Sequence, residues 1–213
     1  EAFLHKRRLA LVMADQAVLD AQRTARGEQG KLHLGYVSSA MYDSKLPGLL
    51  RALRTDWPGI ELSLVHGDVQ MLYDALQDLR LDIAIIRAPL ASPPDELVVR
   101  PFVREKLCLA LYQQHPLAGV AALNLASLRT DNWISLDDPQ GTGLEQVFIG
   151  ACRVAGFTPQ VAQRVNDVTS MISLVSAGVG VALVPVSARA LRLDNVVYID
   201  LQDRLGGRGL GKG

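Results

Sequence analysis

Strand-like and helix-like patterns alternate along most of this chain, and that alternation limits the folds that it can adopt. The runs that predict strands are LHLGYV, IELSLVHG, DIAIIR, LVVRPFV, LCLALY, NWISL, QVAQRV, GVALVP and VVYIDL. Amphipathic stretches of helical period separate many of them. Such alternation is typical of α/β proteins, in which crossover helices join largely parallel strands. Because the order falls into two similar runs, we predict two α/β lobes.

Helices are predicted near residues 41–55 and 69–80, near Thr142, near Asp167 and after Pro185. Pro47 predicts a kink or a delayed start in the first of these, since proline removes an amide donor. Thr142 and Glu145 have the spacing of a capping box. Asp167 predicts a helix cap, and a glycine follows both of the latter helices as a stop signal.

A long helix is predicted before the first lobe, because residues 2–26 contain neither proline nor glycine. Leu4, Leu11 and Val18 recur every seven residues within it. That spacing indicates either a coiled coil with a second copy of the chain or an amphipathic helix lying on its own domain. At the other end, the glycine-rich stretch 204–213 predicts a disordered or foreign tail.

Charge and cysteine content narrow the class of protein. The 22 Lys and Arg residues balance 22 Asp and Glu residues, so this chain lacks the positive surplus that duplex DNA attracts. If the protein acts on DNA, another part must hold the DNA. Cys108 and Cys152 lie in apolar segments without metal-binding spacing, which predicts buried thiols in a reducing cytoplasm. The longest apolar stretch, 171–186, contains glycines and a proline, and it predicts no membrane span.

Motifs for catalysis are missing from the sequence. It contains no G-x-S-x-G elbow, no phosphate-binding loop and no H-E-x-x-H pair,. The G-x-G of SAGVGVALVP lies between a helix and a strand, which is the reverse of the order in a dinucleotide fold. His5, His33, His66 and His115 lack ligand spacing. We therefore expect neither enzymatic activity nor a metal or other cofactor.

Polar residues at the carboxyl ends of the predicted strands are the best candidates for a binding site, because open α/β sheets bind ligands there. They are Ser38, Ser39, Asp68, Arg87, Ser135, Asp137, Thr142, Asn166 and Asp167. An arginine that ends an apolar strand must reach water, a carboxylate or a ligand. Asp68 could be its structural partner, and the two serines could either cap a helix or bind an anion.

The chain resembles the LysR-type transcriptional regulators over roughly residues 1–203. The matching stretches are GKLHLGYVSSAMYDSKLPGLLRALRTDWPGIEL, LYDALQDLRLDIAII, VREKLCLALYQQHPLA and NDVTSMISLVSAGVGVALVP. The resemblance implies two Rossmann-like lobes joined by crossover strands, as in type II periplasmic binding proteins. It implies lobe I at 31–102 plus 196–203, lobe II at 103–195, and a linker and dimerisation helix at 1–27. The family's DNA-binding domain is absent from this chain.

The resemblance also implies effector contacts at Ser38, Ser39, Asp68 and Arg87. Family members that respond to aromatic or other organic acids resemble this chain in having an arginine at such a place, so an organic acid is the expected effector. Asp68 departs from the serine or threonine common in the family, and its charge would oppose an anion. The expected function is a cytoplasmic ligand sensor that forms a homodimer or homotetramer and controls transcription at promoter DNA. The alternative is a solute-binding protein of a transport system.

Overall fold

In the computed structural model, which describes residues 29–90, 93 and 96–202, the first lobe is built on a parallel sheet. Its strands are β1 (Gly30–Tyr36), β2 (Ile60–His66) and β3 (Ile83–Ile85), in the order β2-β1-β3. A 3₁₀ turn (Ser38–Met41) follows β1, and the helices are α1 (Lys45–Asp56) and α2 (Val69–Gln77). Pro47 lies in the first turn of α1, which confirms the delayed helix start,.

The second lobe has a mixed sheet in two hydrogen-bonded parts. Its strands are β4 (Leu107–Tyr112), β5 (Ala122–Leu123), β6 (Asn132–Leu136), β7 (Gln160–Val165), β8 (Ala182–Pro185) and β9 (Val196–Leu201). The strand orders are β5-β9-β4-β8 and β6-β7. The two parts meet where the Ile134 amide donates to the Val181 carbonyl at 2.9 Å. The lobe also contains α3 (Gly143–Val154), α4 (Val168–Ser176) and 3₁₀ turns at Leu125–Leu128 and Val186–Ala190.

Alternation along β6 explains the layers of the second lobe, because neighbouring side chains point to opposite faces of a strand. Trp133 packs toward α3, with its ring 4.8 Å from that of Phe148. Ile134, the next residue, packs toward α4 against Ile172. Both β6 side chains are fully buried. The sheet therefore lies between two helices, and the carboxyl end of β6 is held rigidly.

The domain boundary differs from the expectation at residues 196–203. We expected this segment to complete lobe I, but β9 pairs antiparallel with β4 and parallel with β5. Ile199 of β9 is buried in the same cluster as Leu109 of β4. This segment therefore contributes both backbone hydrogen bonds and core packing to the second lobe.

The predicted strand LVVRPFV is wrong, because residues 97–103 have no regular secondary structure. Val98, Val99 and Phe102 are 81%, 53% and 46% exposed. This segment belongs to the connection from β3 to β4, and none of the described strands pairs with it. Strand propensity alone does not form a strand without such a partner.

Several expectations fall on residues that the structure leaves undescribed. The dimerisation helix with Leu4, Leu11 and Val18, together with His5, lies outside the described residues, as does the tail 204–213. In the part that is described, helices are all too short or too polar to cross a membrane.

Candidate functional site

A cleft between the lobes brings together most of the residues selected at strand ends. It is open to solvent, and the space in the cleft and its mouth together measures about 330 Å³. The selected residues that line it are Ser38, Ser39, Asp68, Arg87, Asn166 and Asp167. The strands β1, β2 and β3 deliver the first four, and β7 delivers the last two. Polar residues selected at the carboxyl ends of strands in both lobes therefore line one cleft.

Arg87 provides the positive charge of the cleft. It follows β3 by two residues, and its Nη2 donates a hydrogen bond to the hydroxyl of Ser39, which is buried. Burial lowers the pKa of the Arg87 guanidinium, while Glu105, Asp138 and Tyr42 act in the opposite direction. Since an arginine remains protonated in proteins, the result is a poorly hydrated cation that an anion could stabilise.

The two serines are held by side chains and do not serve as helix caps. The 3₁₀ turn that contains them is preceded by Val37, without a side-chain cap bond. Ser39 accepts from Arg87, and the Ser38 hydroxyl accepts from the Tyr42 hydroxyl at 3.4 Å. Both hydroxyl oxygens therefore accept a bond from a neighbour, so each serine proton remains to donate to a ligand.

Aspartates cap the helices that begin beside the cleft. Asp68 accepts from the Met71 amide at 2.8 Å at the start of α2. At the start of α4, Asp167 accepts from the Ser170 amide at 2.9 Å. A helix N-terminus carries a partial positive charge that offsets part of a capping carboxylate's charge. The sequence left open whether Asp68 is the structural partner of Arg87. In the structure Asp68 caps α2 instead.

Asp138 lines the cleft but was not selected from the sequence. Its Oδ2 accepts from the amides of Leu144 at 2.8 Å and Glu145 at 3.2 Å, so it makes the cap bonds expected of Thr142. Gly143 allows this approach, because a Cβ there would overlap the Asp138 carboxylate. Gly143 also has a φ of +68°, which glycine tolerates,. This glycine at the first position of the helix was the signal in the sequence that could have revealed the role of Asp138.

Burial raises the pKa of the Asp138 carboxyl group. The amides of Glu145 and Leu144 and the charge of Arg87 lower that pKa, and the charge of Glu145 raises it further. The net shift is upward. Asp138 is thus a partly desolvated carboxylate held near Arg87 in the same cleft.

The pKa of Asp167 is lowered, in contrast to that of Asp138. Burial acts to raise the pKa of Asp167, but hydrogen bonds from Ser170 and Thr169 and the charge of His66 outweigh it and lower the pKa. His66, at the end of β2, lies against Tyr36 with ring centroids 5.6 Å apart. Because His66 belongs to the first lobe and Asp167 to the second, their interaction acts between the lobes.

The structure does not bring every selected residue into the cleft. Asp137 is exposed, and its amide donates to the Val165 carbonyl at 2.9 Å. Thr142 is only 3% exposed at the start of α3 and does not line the cleft. Ser135 is buried within β6, where its hydroxyl donates to the Leu136 carbonyl at 3.3 Å.

Two further contacts join the lobes beside the cleft. The Tyr42 hydroxyl lies 2.7 Å from Oγ1 of Thr169, in the first turn of α4. The Tyr42 ring packs against the core cluster of the second lobe. The Gly143 amide donates to the Pro89 carbonyl at 2.8 Å. Tyr42 was not selected from the sequence, because its partner lies 127 residues away in the chain.

The two cysteines are buried, and two of the histidines pair with aspartates outside the cleft. Burial raises the pKa of the Cys108 thiol to about 11 and that of Cys152 to about 12. His115 Nε2 lies 2.9 Å from Asp131 Oδ1, and His33 pairs with Asp82. Across the described ranges, groups of three or more acidic, histidine or cysteine side chains that could hold a metal ion are absent.

Comparison with known proteins places the chain in a family. The model of the LysR substrate binding domain matches residues 25–211. The HTH-type transcriptional regulator BudR of Raoultella terrigena is 37% identical over 194 residues, covering 91% of this chain and 66% of that protein. This chain therefore spans just under two thirds of the length of that relative.

Solved effector-binding domains share the fold. The BenM effector-binding domain with benzoate is 23% identical at a TM-score of 0.67, over 82% of this chain and 78% of that chain. The effector-binding domain of QuiR in complex with shikimate is 21% identical at a TM-score of 0.72, over 82% of each chain. These similarities show the fold of the present chain.

Proposed function

This chain belongs to the LysR substrate binding domain family, whose members are transcriptional regulators and not enzymes, and from that premise we propose that it is the effector-sensing part of such a regulator. The observation that carries the proposal is the inter-lobe cleft, in which Arg87 lies beside Ser38 and Ser39. A small molecule that contacts both lobes biases their arrangement by its different affinity for each state.

We propose that the effector is an organic acid whose carboxylate binds Arg87, Ser38 and Ser39. A charge-assisted hydrogen bond to a poorly hydrated guanidinium is stronger than one between neutral groups. Benzoate and shikimate, the ligands named for the two structural neighbours, both carry a carboxylate. Asp68, Asn166 and Asp167 also line the cleft, as does Asp138, and would contact the rest of the molecule.

Asp68 makes acids with a hydrogen-bond donor better candidates than plain acids. Two like charges about 6 Å apart repel by roughly 3 kcal/mol at an effective dielectric constant near 20. A hydroxyl group on the ligand would offer Asp68 a hydrogen bond and offset part of that repulsion. The proposal thus favours a hydroxy acid over an unsubstituted acid of the same size.

We propose that the protein acts as a homodimer or homotetramer, in which residues 1–27 serve as the linker and dimerisation helix. The charge of the chain is balanced at 22 basic and 22 acidic residues, so promoter DNA would be bound by a separate domain. A regulator acting on promoter DNA works in the cytoplasm. The transport alternative has no support in the comparisons, since the matching family and relatives are regulators.

A thermal-shift screen of carboxylates tests the proposed function. Benzoate, shikimate, lactate and propionate are compared with uncharged benzamide on the wild type and on Arg87→Gln. We expect at least one acid to raise the melting temperature, and the variant to lose most of that shift. Arg80→Gln is the matched control, because Arg80 is exposed and pairs with Asp78 away from the cleft. An equal shift in wild type and Arg87→Gln would refute the site.

A further inference from the structure

A line of three hydroxyl groups connects the second lobe to the cleft. The Thr169 hydroxyl oxygen lies 2.7 Å from that of Tyr42, and the Tyr42 hydroxyl donates to Ser38 at 3.4 Å. Thr169 belongs to α4 of the second lobe, whereas Ser38 begins the 3₁₀ turn after β1 and Tyr42 directly follows that turn. Ser38 lines the cleft. We call Thr169, Tyr42 and Ser38 the hydroxyl chain.

The direction of the hydrogen bonds in the hydroxyl chain follows from proton counting. A tyrosine hydroxyl has one proton, and that of Tyr42 is donated to Ser38,. Thr169 must therefore donate to Tyr42. The Ser38 hydroxyl accepts from Tyr42 and keeps its own proton for a third partner. The hydroxyl chain thus presents Ser38 to the cleft as a hydrogen-bond donor, which suits an anionic ligand.

The surroundings hold Tyr42 and Thr169 in place. The Tyr42 ring packs against the second-lobe core cluster, although its backbone belongs to the first lobe. Thr169 is fixed in the first turn of α4, where its amide bonds to the Asp167 carboxylate. A movement of one lobe against the other would therefore separate the Tyr42 and Thr169 hydroxyls before it unfolded either lobe.

We propose that the hydroxyl chain couples effector binding to the relative position of the two lobes, with Tyr42 as its positioning residue. An anion that accepts from Ser38 polarises the Ser38 oxygen, and consecutive hydrogen bonds strengthen one another. The bond between Tyr42 and Thr169 is then tighter in the liganded state. By thermodynamic reciprocity, a lobe arrangement that keeps this bond binds the effector more tightly. The inference rests on the proposed function, because it requires an acid in the cleft.

The test compares Tyr42→Phe, Thr169→Val and the double variant, each of which removes hydroxyl groups with little change in shape. Tyr198→Phe is the matched control, since Tyr198 packs on the same core cluster but donates to Leu191 within the second lobe. Calorimetric titrations with benzoate and shikimate give the affinities. We expect each single variant to bind about three- to tenfold more weakly, in line with the net worth of one hydrogen bond.

The double variant should bind the acid with the same affinity as the weaker-binding single variant, since both substitutions interrupt the same hydroxyl chain. The control should remain within about twofold of wild type. Tyr42→Phe binding like the control would overturn the inference, and so would losses that multiply in the double variant. A wild type that binds no acid would refute the proposed function and, with it, the coupling. In that case urea unfolding of the wild type, the two single variants and the double variant would still decide whether Tyr42 and Thr169 interact.

Discussion

Replacing the cap of α4 should destabilise the second lobe in a pH-dependent way. In Asp167→Ala, the Ser170 amide and hydroxyl lose their acceptor, which lies at 2.9 and 2.7 Å. Loss of an aspartate cap costs about 1 kcal/mol, and up to about 2 kcal/mol in the least tolerant cases. Because α4 contributes the fully buried Met171, Ile172 and Val175 to the core, we expect a loss of about 1–2 kcal/mol near pH 7.

The sign of the pH dependence follows from the lowered pKa of Asp167. Below the unfolded pKa of an aspartate, about 3.9, the unfolded state takes up more protons than the native state. The stabilisation from Asp167 is therefore fully present above that pH and is lost as the pH falls through the native pKa. The difference between wild type and Asp167→Ala should shrink in acid.

Urea unfolding followed by the fluorescence of buried Trp133 measures this difference at pH 7 and at about pH 3.5,. Asp167→Asn is the control, because the amide oxygen can still accept from Ser170 but carries no charge. Its stability should stay closer to wild type at pH 7. A loss below about 0.3 kcal/mol in Asp167→Ala, or a loss that does not change with pH, would refute the reasoning.

Three other outcomes are expected. Gly35→Ala should lose about 1–3 kcal/mol in urea unfolding, because its Cβ would lie 2.6 Å from two leucine side chains,. Gly48→Ala should instead gain about 0.5–1 kcal/mol, since it lies in α1 with open space around its Cβ,. Cys108 and Cys152 should resist Ellman's reagent at pH 8, because burial raises their pKa values to about 11 and 12. Both thiols should react once the protein is unfolded in urea. A fast reaction of the folded protein would contradict their burial.

Local patterns predicted the fold well where a segment has a partner in its own lobe. NWISL forms the predicted strand as β6, and its neighbouring residues Trp133 and Ile134 pack into core clusters on opposite faces of it. Patterns failed where the partner is decided by tertiary structure. Residues 97–103 have strand propensity but pair with no strand among the described residues, and the lobe that receives β9 depends on its pairing with β4.

The candidate site was predictable to the extent that it depends on sheet geometry. Ser38, Asp68 and Arg87 were selected because strand ends converge at one edge of a sheet, and all three line the cleft,. Asp138 was missed because the T-x-x-E spacing favoured Thr142, whereas the loop before α3 folds back to place Asp138 at the helix amides. Tyr42 could not be found, since no local signal relates it to a threonine in the other lobe.

The proposed effector site is best tested by a crystal structure of the chain with its most stabilising acid. We expect electron density for the acid between the lobes, with its carboxylate within hydrogen-bond distance of Arg87 and of Ser38 or Ser39. Another cavity of the second lobe, lined by His115 and Gly178 among others, serves as the comparison site for acid binding. An acid bound there, or one bound in the cleft with its carboxylate turned away from Arg87, would contradict the account.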